Sequence, residues 1–216
     1  MPTLPPSDEY AEKLSVFRAA LRRQKLAIRE SLSPETHAAL SARLEEHLAG
    51  LLAGRKSSSI IAFCSPIRKE FDAQPLIARL VDQGAQAAMP VVVNRETPMV
   101  FRPWTPQSEM TKDQHGIPIP IDEKSVVPDI ILLPLVAFDQ HGFRLGYGGG
   151  YFDRTLAALA KNQATLPLSV GIGFESALTE TIQPQKHDIP LNAVVTEGGV
   201  MYYPVKPSFV AKLIDQ

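Results

Sequence analysis

The hydrophobic positions of this chain recur with two periods, one typical of helices and one typical of buried strands. Over about residues 9–32 the apolar side chains fall on one face at about 100° per residue, which predicts an amphipathic helix. That predicted face consists of Leu14, Phe17, Leu21, Ile28 and Leu32. A second helix is expected from Pro34 to about Leu52, because Ser33 is a favoured N-cap residue and proline suits the first helical position.

Short runs that are almost wholly apolar alternate with helical patterns in the rest of the chain. Strands are predicted near residues 59–64, 88–93, 99–104, 130–138, 168–174 and 193–203. Further helices are predicted at residues 74–83 and 151–161, and residues 112–124 are expected to form a loop. Strands that are apolar on both faces indicate a mainly parallel sheet covered by helices on both sides. The pattern therefore predicts one α/β domain over residues 9–216, after a flexible tail of residues 1–8.

The composition is that of an ordinary soluble protein. The 216 residues carry a formal net charge of −1, which gives no reason to expect binding to nucleic acid or to a membrane. The N-terminus lacks the basic and apolar regions of a signal peptide, and Pro134 interrupts the most apolar run. Cys64 stands alone, which excludes an internal disulfide and fits a reducing compartment. A cytoplasmic protein is expected, and we expect it to be a monomer.

Four of the 13 glycines lie within five positions, between a predicted strand and a predicted helix. These four glycines are Gly146, Gly148, Gly149 and Gly150. Backbone N–H groups that converge at the start of a helix form a phosphate-binding arrangement, and Arg144 and Arg154 flank this one. The dinucleotide pattern would need glycine where Tyr151 stands, and the P-loop lysine is absent. A tight turn without a ligand is the alternative, although the position after a strand favours a ligand site.

Charged residues that could complete a phosphate site lie in other parts of the chain. A basic stripe borders the apolar face of the first helix, so it is either a solvated face or an anion clamp. The stripe consists of Arg18, Arg22, Lys25 and Arg29. Asp153 lies in the first turn of the next helix, where a carboxylate stabilises the helix and could also hold Mg²⁺. Asp188 is the candidate for a second carboxylate, and Asp139 is a rival in a sequence typical of a turn.

Glu70 and the histidines are less informative. Glu70 follows the first predicted strand, so it is either a surface charge or a polar anchor for the ring nitrogens of a ligand. The histidines have no metal-ligand spacing, and a catalytic role for His187 has only its position in favour of it.

Residues 135–154 closely resemble the signature of the 5-formyltetrahydrofolate cyclo-ligases, also called methenyltetrahydrofolate synthetases. Weaker matches in the family's order are residues 18–22 with Arg29, residues 70–76 and residues 187–196. The resemblance covers about residues 18–198. It implies a single three-layer α/β/α domain that converts 5-formyltetrahydrofolate and ATP into 5,10-methenyltetrahydrofolate, ADP and phosphate. The family's reaction uses Mg²⁺ and no protein nucleophile.

Site residues follow from the resemblance position by position. It implies that Arg18 and Arg22 contact the phosphates of ATP and that Glu70 holds the pterin. It further implies that Asp153 and Asp188 hold Mg²⁺. The segment expected to wrap the triphosphate is Arg144, Leu145, Gly146, Tyr147, Gly148, Gly149, Gly150, Tyr151 and Phe152. Arg144 would stabilise charge, and the residues from Tyr147 to Tyr151 would also face the folate.

The chain departs from the family's usual pattern at three positions. Many members have lysine where Arg18 stands, a Glu-Pro pair is common at Ile119 and the residue after it, and glutamine is common near Ala177. Two alternatives therefore accompany the cyclo-ligase hypothesis. One is a non-catalytic paralogue that binds folate or a nucleotide. The other is an ATP-dependent ligase that acts on a different formyl- or amide-bearing substrate.

Overall fold

A seven-stranded sheet forms the centre of the computed structural model, which describes residues 8–55, 58–162 and 166–204. The helices in these ranges are α1 (Asp8–Glu30), α2 (Pro34–Leu52), α3 (Gln74–Asp82) and α4 (Tyr151–Asn162). The strands in the same ranges are β1 (Ile60–Ala62), β2 (Gln86–Val91), β3 (Val100–Trp104), β4 (Met110–Lys112), β5 (Pro118–Pro120), β6 (Ile130–Pro134), β7 (Ala137–Asp139), β8 (Arg144–Leu145), β9 (Leu168–Ile172), β10 (Leu178–Thr179), β11 (Ala193–Thr196) and β12 (Gly199–Tyr202). The helices begin and end within about two residues of their predicted bounds.

The main sheet is parallel in its interior and antiparallel at its edges. Its strands lie in the order β12-β11-β9-β6-β1-β2-β3 within the described part of the chain. The strands from β11 to β2 run parallel to one another, whereas β12 and β3 pair antiparallel with their neighbours. The predicted α/β class with a mainly parallel sheet is confirmed. This topology brings the carboxyl ends of β1, β2 and β6 to one edge of the sheet.

Successive residues of the inner strands point into two separate cores. Ile130 and Leu132 of β6 pack with α2 and α3, and Ile131 and Leu133 pack on the opposite face with α4. Because both faces are covered, a strand in the interior needs apolar side chains at every position. This arrangement explains the continuous apolar runs in the sequence, and it gives the three layers that the resemblance implies.

Two segments fold differently from the prediction. The run predicted as one strand over residues 130–138 divides, because β6 ends at Pro134 and β7 belongs to a second sheet with β8 and β10. The glycine stretch therefore follows β8, the second strand of a side hairpin, and not a strand of the main sheet. Residues 112–124 are not wholly a loop, since β4 and β5 pair antiparallel around the turn between them. The last predicted strand is the hairpin of β11 and β12.

The buried face of α1 is only partly the predicted one. Leu14 and Leu21 are buried as expected, but Ile28 is 38% exposed. Arg18 and Arg29 are as buried as these leucines, at 8% and 7% exposed. The basic stripe thus faces the rest of the protein, because its guanidinium groups find acceptors there. The interpretation of this stripe as a solvated face is wrong for these two residues.

The ends of the chain limit two expectations. Residues 1–7 of the predicted tail and residues 205–216 of the predicted domain lie outside the described residues, and residue 8 already belongs to α1. Among the helices of the described ranges, none has the length and apolar character needed to cross a membrane.

Candidate functional site

A cavity of about 880 Å³ opens where β1, β2 and β6 end. Cys64 and Ser65 follow β1 along its wall, and Pro134 is the last residue of β6. The side of the cavity opposite the sheet is formed by α1 and the glycine stretch. Ligands of open α/β sheets bind at this edge, and the volume lies within the range of about 300–1,000 Å³ for small-molecule sites.

The glycine stretch turns sharply between β8 and the start of α4. Gly148 and Gly150 have φ values of +104° and +65°, a region that L side chains rarely adopt. A β-carbon on Gly150 would lie 2.8 Å from Nη1 at the end of the Arg154 side chain, which would have to move, and the positive φ would still strain the backbone. The stretch is held to α1 by Arg22, whose Nε donates to the carbonyl oxygen of Gly146 at 2.7 Å. The start of α4 therefore lines the cavity beside a guanidinium group.

Two arginine–carboxylate pairs lie next to each other in the cavity wall. Arg18 donates to both oxygens of Asp188, at 2.7 and 3.2 Å. Arg144 contacts Oδ2 of Asp153 at 3.1 Å and donates to the carbonyl oxygen of Ile189 at 3.2 Å. The backbone N–H of Ile189 donates in turn to Oδ1 of Asp153 at 3.2 Å, so the two carboxylates are joined through adjacent residues. Residues far apart in the sequence thus place two cations and two anions in one wall.

The two predicted metal carboxylates differ in how free their oxygens are. The side chain of Asp153 is 21% exposed, and each of its oxygens has one contact. Asp188 is 5% exposed and has both oxygens bonded to Arg18, with Oδ2 also accepting from the N–H of Gln185. No group of three or more potential metal ligands is present among the described residues. Mg²⁺ usually takes one or two carboxylates together with phosphate oxygens and water, so this pair is chemically suited to it.

Glu70 is a buried residue and not a surface charge. It is 7% exposed, and Oε2 accepts a hydrogen bond from the N–H of Ile67 at 3.0 Å. Oε1 accepts from the hydroxyl of Tyr147 at 2.7 Å, which connects the loop after β1 to the glycine stretch. Burial raises the pKa of Glu70, although both hydrogen bonds and the charge of Arg29 act in the opposite direction. Glu70 lines the same cavity as the two ion pairs.

Burial also shifts the pKa of three neighbours. The pKa of Tyr147 is raised by burial and then by the adjacent Glu70, so its hydroxyl remains a donor. Burial, followed by the charge of Glu70, raises the pKa of the Cys64 thiol. A thiol of this kind is a poor nucleophile, because the thiolate is the reactive form. Burial and the charge of Arg18 lower the pKa of Arg22, which still remains a cation.

The backbone before Glu70 is in an uncommon conformation. Arg68 and Lys69 have φ values of +50° and +56°, and neither is a glycine. Residues held in the left-handed region cost on the order of 1–3 kcal/mol each and persist where surrounding contacts determine them. Lys69 Nζ donates to the carbonyl oxygens of Glu30 and Leu32, at 2.7 and 2.6 Å. The end of α1 thus holds the loop that presents Glu70.

Most of the residues singled out in the sequence meet in this cavity, and a few do not. Leu145 is fully buried in a small core with Leu21, and its side chain does not line the cavity. Asp139 is also fully buried and accepts backbone N–H groups of its own turn, which supports the turn and not the rival metal site. Ile119 and Ala177 are buried outside the cavity lining, so neither departure changes its wall.

The sequence did not single out the role of Arg29. This residue contacts Tyr147 and Glu70, which line the cavity, at 2.5 and 3.5 Å. Its spacing within the basic stripe was visible in the sequence, but its partners were not.

Comparison with known proteins agrees with this geometry. The model of the 5-formyltetrahydrofolate cyclo-ligase family matches residues 15–197. The chain belongs to this family. The 5-formyltetrahydrofolate cyclo-ligase of Escherichia coli (strain K12) is 39% identical over 137 residues, which are 61% of this chain and 74% of that protein. The enzyme of the same name from Haemophilus influenzae is 29% identical over 180 residues, which are 81% of this chain and 94% of that protein.

Solved structures give the same family. The NMR structure of Aquifex aeolicus 5,10-methenyltetrahydrofolate synthetase is 28% identical, with a TM-score of 0.74. The similarity covers 88% of this chain and 94% of that one. A 5,10-methenyltetrahydrofolate synthetase from Mycoplasma pneumoniae, at 24% identity and a TM-score of 0.65, supports the fold alone. The resemblance found in the glycine stretch and the assignment to an enzyme family are confirmed.

Proposed function

We propose that this cyclo-ligase family member uses ATP to convert 5-formyltetrahydrofolate into 5,10-methenyltetrahydrofolate, with release of ADP and phosphate. The observation that carries the proposal is the shared cavity. Arg18, Arg22 and Arg144, the two predicted metal carboxylates and the glycine stretch line the same cavity as Glu70, and Tyr147 of the glycine stretch bonds Glu70. A site of this kind suits two substrates that react with each other.

The triphosphate of ATP is assigned to the end with the ion pairs. Arg18, Arg22 and Arg144 supply cations there, and the N–H groups of residues 146–152 lie at the positive end of α4. At present Arg22 donates to a carbonyl oxygen and Arg18 donates to a carboxylate. The oxygens of a triphosphate would be more strongly charged acceptors for both arginines. Arg18 would then exchange Asp188 for a phosphate oxygen.

Mg²⁺ is assigned to Asp153 and Asp188. The ion would neutralise the charge that develops on the phosphate oxygens. The carboxylate of Asp153 is partly exposed and could bind the ion directly. The carboxylate of Asp188 would become free to bind it when Arg18 moves to the phosphate. Hard cations prefer such oxygen ligands, and two carboxylates with phosphate oxygens are a usual set for Mg²⁺.

The folate is assigned to the end with Glu70. A buried carboxylate accepts N–H groups of a pterin in a fixed direction, and Glu70 is oriented by Ile67 and Tyr147. The glycine stretch contacts Glu70 through Tyr147 and Arg22 through Gly146, so the formyl group would meet the γ-phosphate beside the residues from Tyr147 to Tyr151. The exact contacts of the pterin stay a prediction.

The reaction needs positioning and charge stabilisation rather than a protein nucleophile. The formyl oxygen attacks the γ-phosphorus, and the bond to ADP breaks. Nitrogen 10 of the folate then attacks the formyl carbon and loses its proton, and the carbon–oxygen bond breaks to release phosphate. Arg144 would stabilise the negative charge of the transferred group, because its guanidinium is held by Asp153 and Ile189.

One assay tests the proposal against its alternatives. The protein is incubated with ATP, Mg²⁺ and 5-formyltetrahydrofolate, and the methenyl absorbance is followed together with ADP. Equal formation of both products is expected. Folate binding without methenyl product would favour the non-catalytic paralogue, and ADP release only with another formyl or amide substrate would favour the third hypothesis. The cytoplasmic location and the monomeric state that we expect from the sequence stay predictions that this assay does not test.

A further inference from the structure

Arg29, near the end of α1, contacts three segments around the cavity, although the proposed reaction assigns it no role. Its side chain is 9% exposed, and all three of its nitrogens donate hydrogen bonds. The acceptors are the carbonyl oxygens of Arg68 and Leu135, both at 3.0 Å, and the hydroxyl of Tyr147 at 2.5 Å. A guanidinium group bonded at every nitrogen has a fixed orientation, because its planar donors point in set directions.

The same guanidinium is the cation that faces Glu70. Nη2 lies 3.5 Å from Oε1 of Glu70, the oxygen that also accepts from the Tyr147 hydroxyl. The Tyr147 hydroxyl therefore accepts a hydrogen bond from Arg29 and donates one to Glu70. Removing Arg29 would take away the cation and would also leave the hydroxyl free to turn.

The loop that carries Glu70 depends on this residue as well. Arg68 and Lys69 adopt positive φ values just before it. Nε of Arg29 bonds the carbonyl oxygen of Arg68, so the uncommon backbone is held from α1. Uncommon backbone next to a binding residue points to a functional constraint when specific contacts maintain it.

We propose that Arg29 is a positioning residue that holds Glu70 and Tyr147 in the orientation that folate binding requires. This inference rests on the proposed function for the identity of the ligand. Arg29 is absent from the cavity lining, whereas Glu70 and Tyr147 belong to it. Arg29 therefore acts through two residues that reach the substrate.

A purely structural role for Arg29 would lower stability without changing how folate binding responds to pH. The groups around Glu70 are Arg29 from α1, Tyr147 from the glycine stretch, Cys64 after β1 and Arg68 on its own loop. Of these, Arg29 is the cation that opposes protonation of Glu70. Without it the carboxyl group takes up a proton at higher pH, and a neutral carboxyl accepts pterin N–H groups less well. Folate affinity should then fall as the pH is lowered.

The experiment compares Arg29→Met, Arg29→Lys and the control Arg68→Met by calorimetry. The Arg68→Met control removes a cation from the loop that carries Glu70, but the Arg68 side chain is 45% exposed and pairs with Glu30. Dissociation constants for 5-formyltetrahydrofolate and for ATP with Mg²⁺ are measured at pH 8 and pH 6, with melting temperatures. Arg29→Met should weaken folate binding roughly 10-fold or more, as for a lost hydrogen bond to a charged group, and further at pH 6. Its ATP affinity should change by less than about threefold, since its one contact with the glycine stretch is a hydroxyl.

The other variants sharpen the result. Arg29→Lys keeps the positive charge but not the planar set of donors. Its folate affinity should therefore depend on pH as in the wild type, but it should recover only part of the affinity that Arg29→Met loses. Arg68→Met should bind both ligands like the wild type. A folded Arg29→Met protein with unchanged folate affinity, or with equal losses for folate and ATP and no pH effect, overturns the inference.

Two further outcomes are decisive. If Arg29→Met does not fold, Arg29→Lys takes its place, because it keeps the buried charge and loses only the planar set of donors. Weaker folate binding by Arg29→Lys with unchanged ATP affinity supports the inference, and unchanged folate binding overturns it. A wild-type protein that binds ATP and no folate overturns the proposed function together with this inference, whereas normal wild-type binding with an unaffected variant overturns this inference alone.

Discussion

Single residues of the cavity wall neutralise one another in pairs. Arg18 with Asp188 and Arg144 with Asp153 are largely buried, and each pair sums to zero charge. Taking ions from water is costly, and removing one partner of a buried pair typically costs about 3–5 kcal/mol because the other charge stays uncompensated. The same pairing keeps the arginines available for a triphosphate. Stability and substrate binding therefore depend on the same side chains, and experiments must separate the two.

Arg18 offers a way to make that separation. We expect Arg18→Met to lower the free energy of unfolding by about 3–5 kcal/mol, because Asp188 is left as an unpaired buried anion. We also expect it to raise the KM for ATP. The double variant Arg18→Met with Asp188→Asn should regain most of the stability and none of the activity. Denaturant unfolding and steady-state kinetics on both proteins check this. A double variant with wild-type ATP kinetics would return Arg18 to a structural role.

Asp153 is the residue on which the Mg²⁺ assignment depends. Asp153→Asn keeps the size of the side chain and an acceptor for the N–H of Ile189, so the protein should still fold, but with a stability lowered by up to about 3–5 kcal/mol because Arg144 loses its anion. Turnover should fall on the order of 100-fold, since one charged metal ligand is lost. Steady-state kinetics at increasing Mg²⁺ concentration measure the turnover, and a melting curve measures the stability. Normal activity at ordinary Mg²⁺ would show that the assignment is wrong.

Asp139→Asn is the matched control for this variant. Asp139 is a fully buried carboxylate that accepts the N–H groups of His141 and Phe143, at 3.0 and 3.1 Å, away from the cavity lining. The expected result differs from the Asp153 result in the turnover. Stability should fall by about 1–3 kcal/mol, and the folded protein should keep its turnover.

At the scale of elements, the sequence predicts which segments form but not all of their partners. The start of α2 follows from local chemistry alone, because the Ser33 hydroxyl caps the N–H of Thr36 at 3.1 Å. The orientation of α1 does not. Periodicity shows that Arg18 and Arg22 share a stripe, whereas their acceptors lie 170 and 124 positions away in the chain. Only the fold brings these acceptors to the helix, so the sequence could not tell an inward stripe from a solvated one.

The path into the glycine stretch was missed for a similar reason. The residues from Ile130 to Phe138 are uninterrupted in their apolar character apart from Pro134, so their pattern is that of one long strand. The chain leaves the main sheet there because β7 and β8 pair around the Asp139 turn. Turn chemistry was visible at Asp139, but the pairing that makes a separate sheet is a long-range property.

The bend of the glycine stretch itself can be tested with two alanine substitutions. Gly150→Ala places a β-carbon at φ +65°, 2.8 Å from Arg154, and should cost about 1–2 kcal/mol of stability. Gly146→Ala meets no atom within 4 Å and has no positive φ, so its stability should remain close to that of the wild type. Thermal unfolding of both variants checks the difference. Equal stability would mean that the stretch does not require its bend.

At the scale of the whole molecule, the sheet order decides which residues meet. The strands β1 and β6 are neighbours although 67 residues separate the end of one from the start of the other, and their carboxyl ends share an edge. Residues from α1 to Asp188 therefore converge on one cavity in a protein whose net charge is only −1. The positive charge of the site is local. A ligand that binds there contacts several elements together and should stabilise the fold as a unit.

A thermal shift measures that coupling. A ligand at 100 times its dissociation constant stabilises the folded state by about 2.7 kcal/mol, if it does not bind the unfolded chain. In a protein of this size, 1 kcal/mol corresponds to about 2–4 °C in melting temperature. Saturating ATP with Mg²⁺ should therefore raise the melting temperature by about 5–11 °C. Differential scanning calorimetry over a range of ATP concentrations would give the shift and its dependence on concentration.

The shift should depend on the arginines of the cavity and not on arginines in general. Arg22→Met removes a cation that lies against the glycine stretch and should abolish most of the shift. Arg79→Met removes the α3 partner of an exposed ion pair with Glu45 of α2, so the shift should persist in full. Equal shifts in the two variants would contradict the placement of the triphosphate. A full shift in Arg79→Met and almost none in Arg22→Met would assign ATP to the end of the cavity that α1 and the glycine stretch enclose.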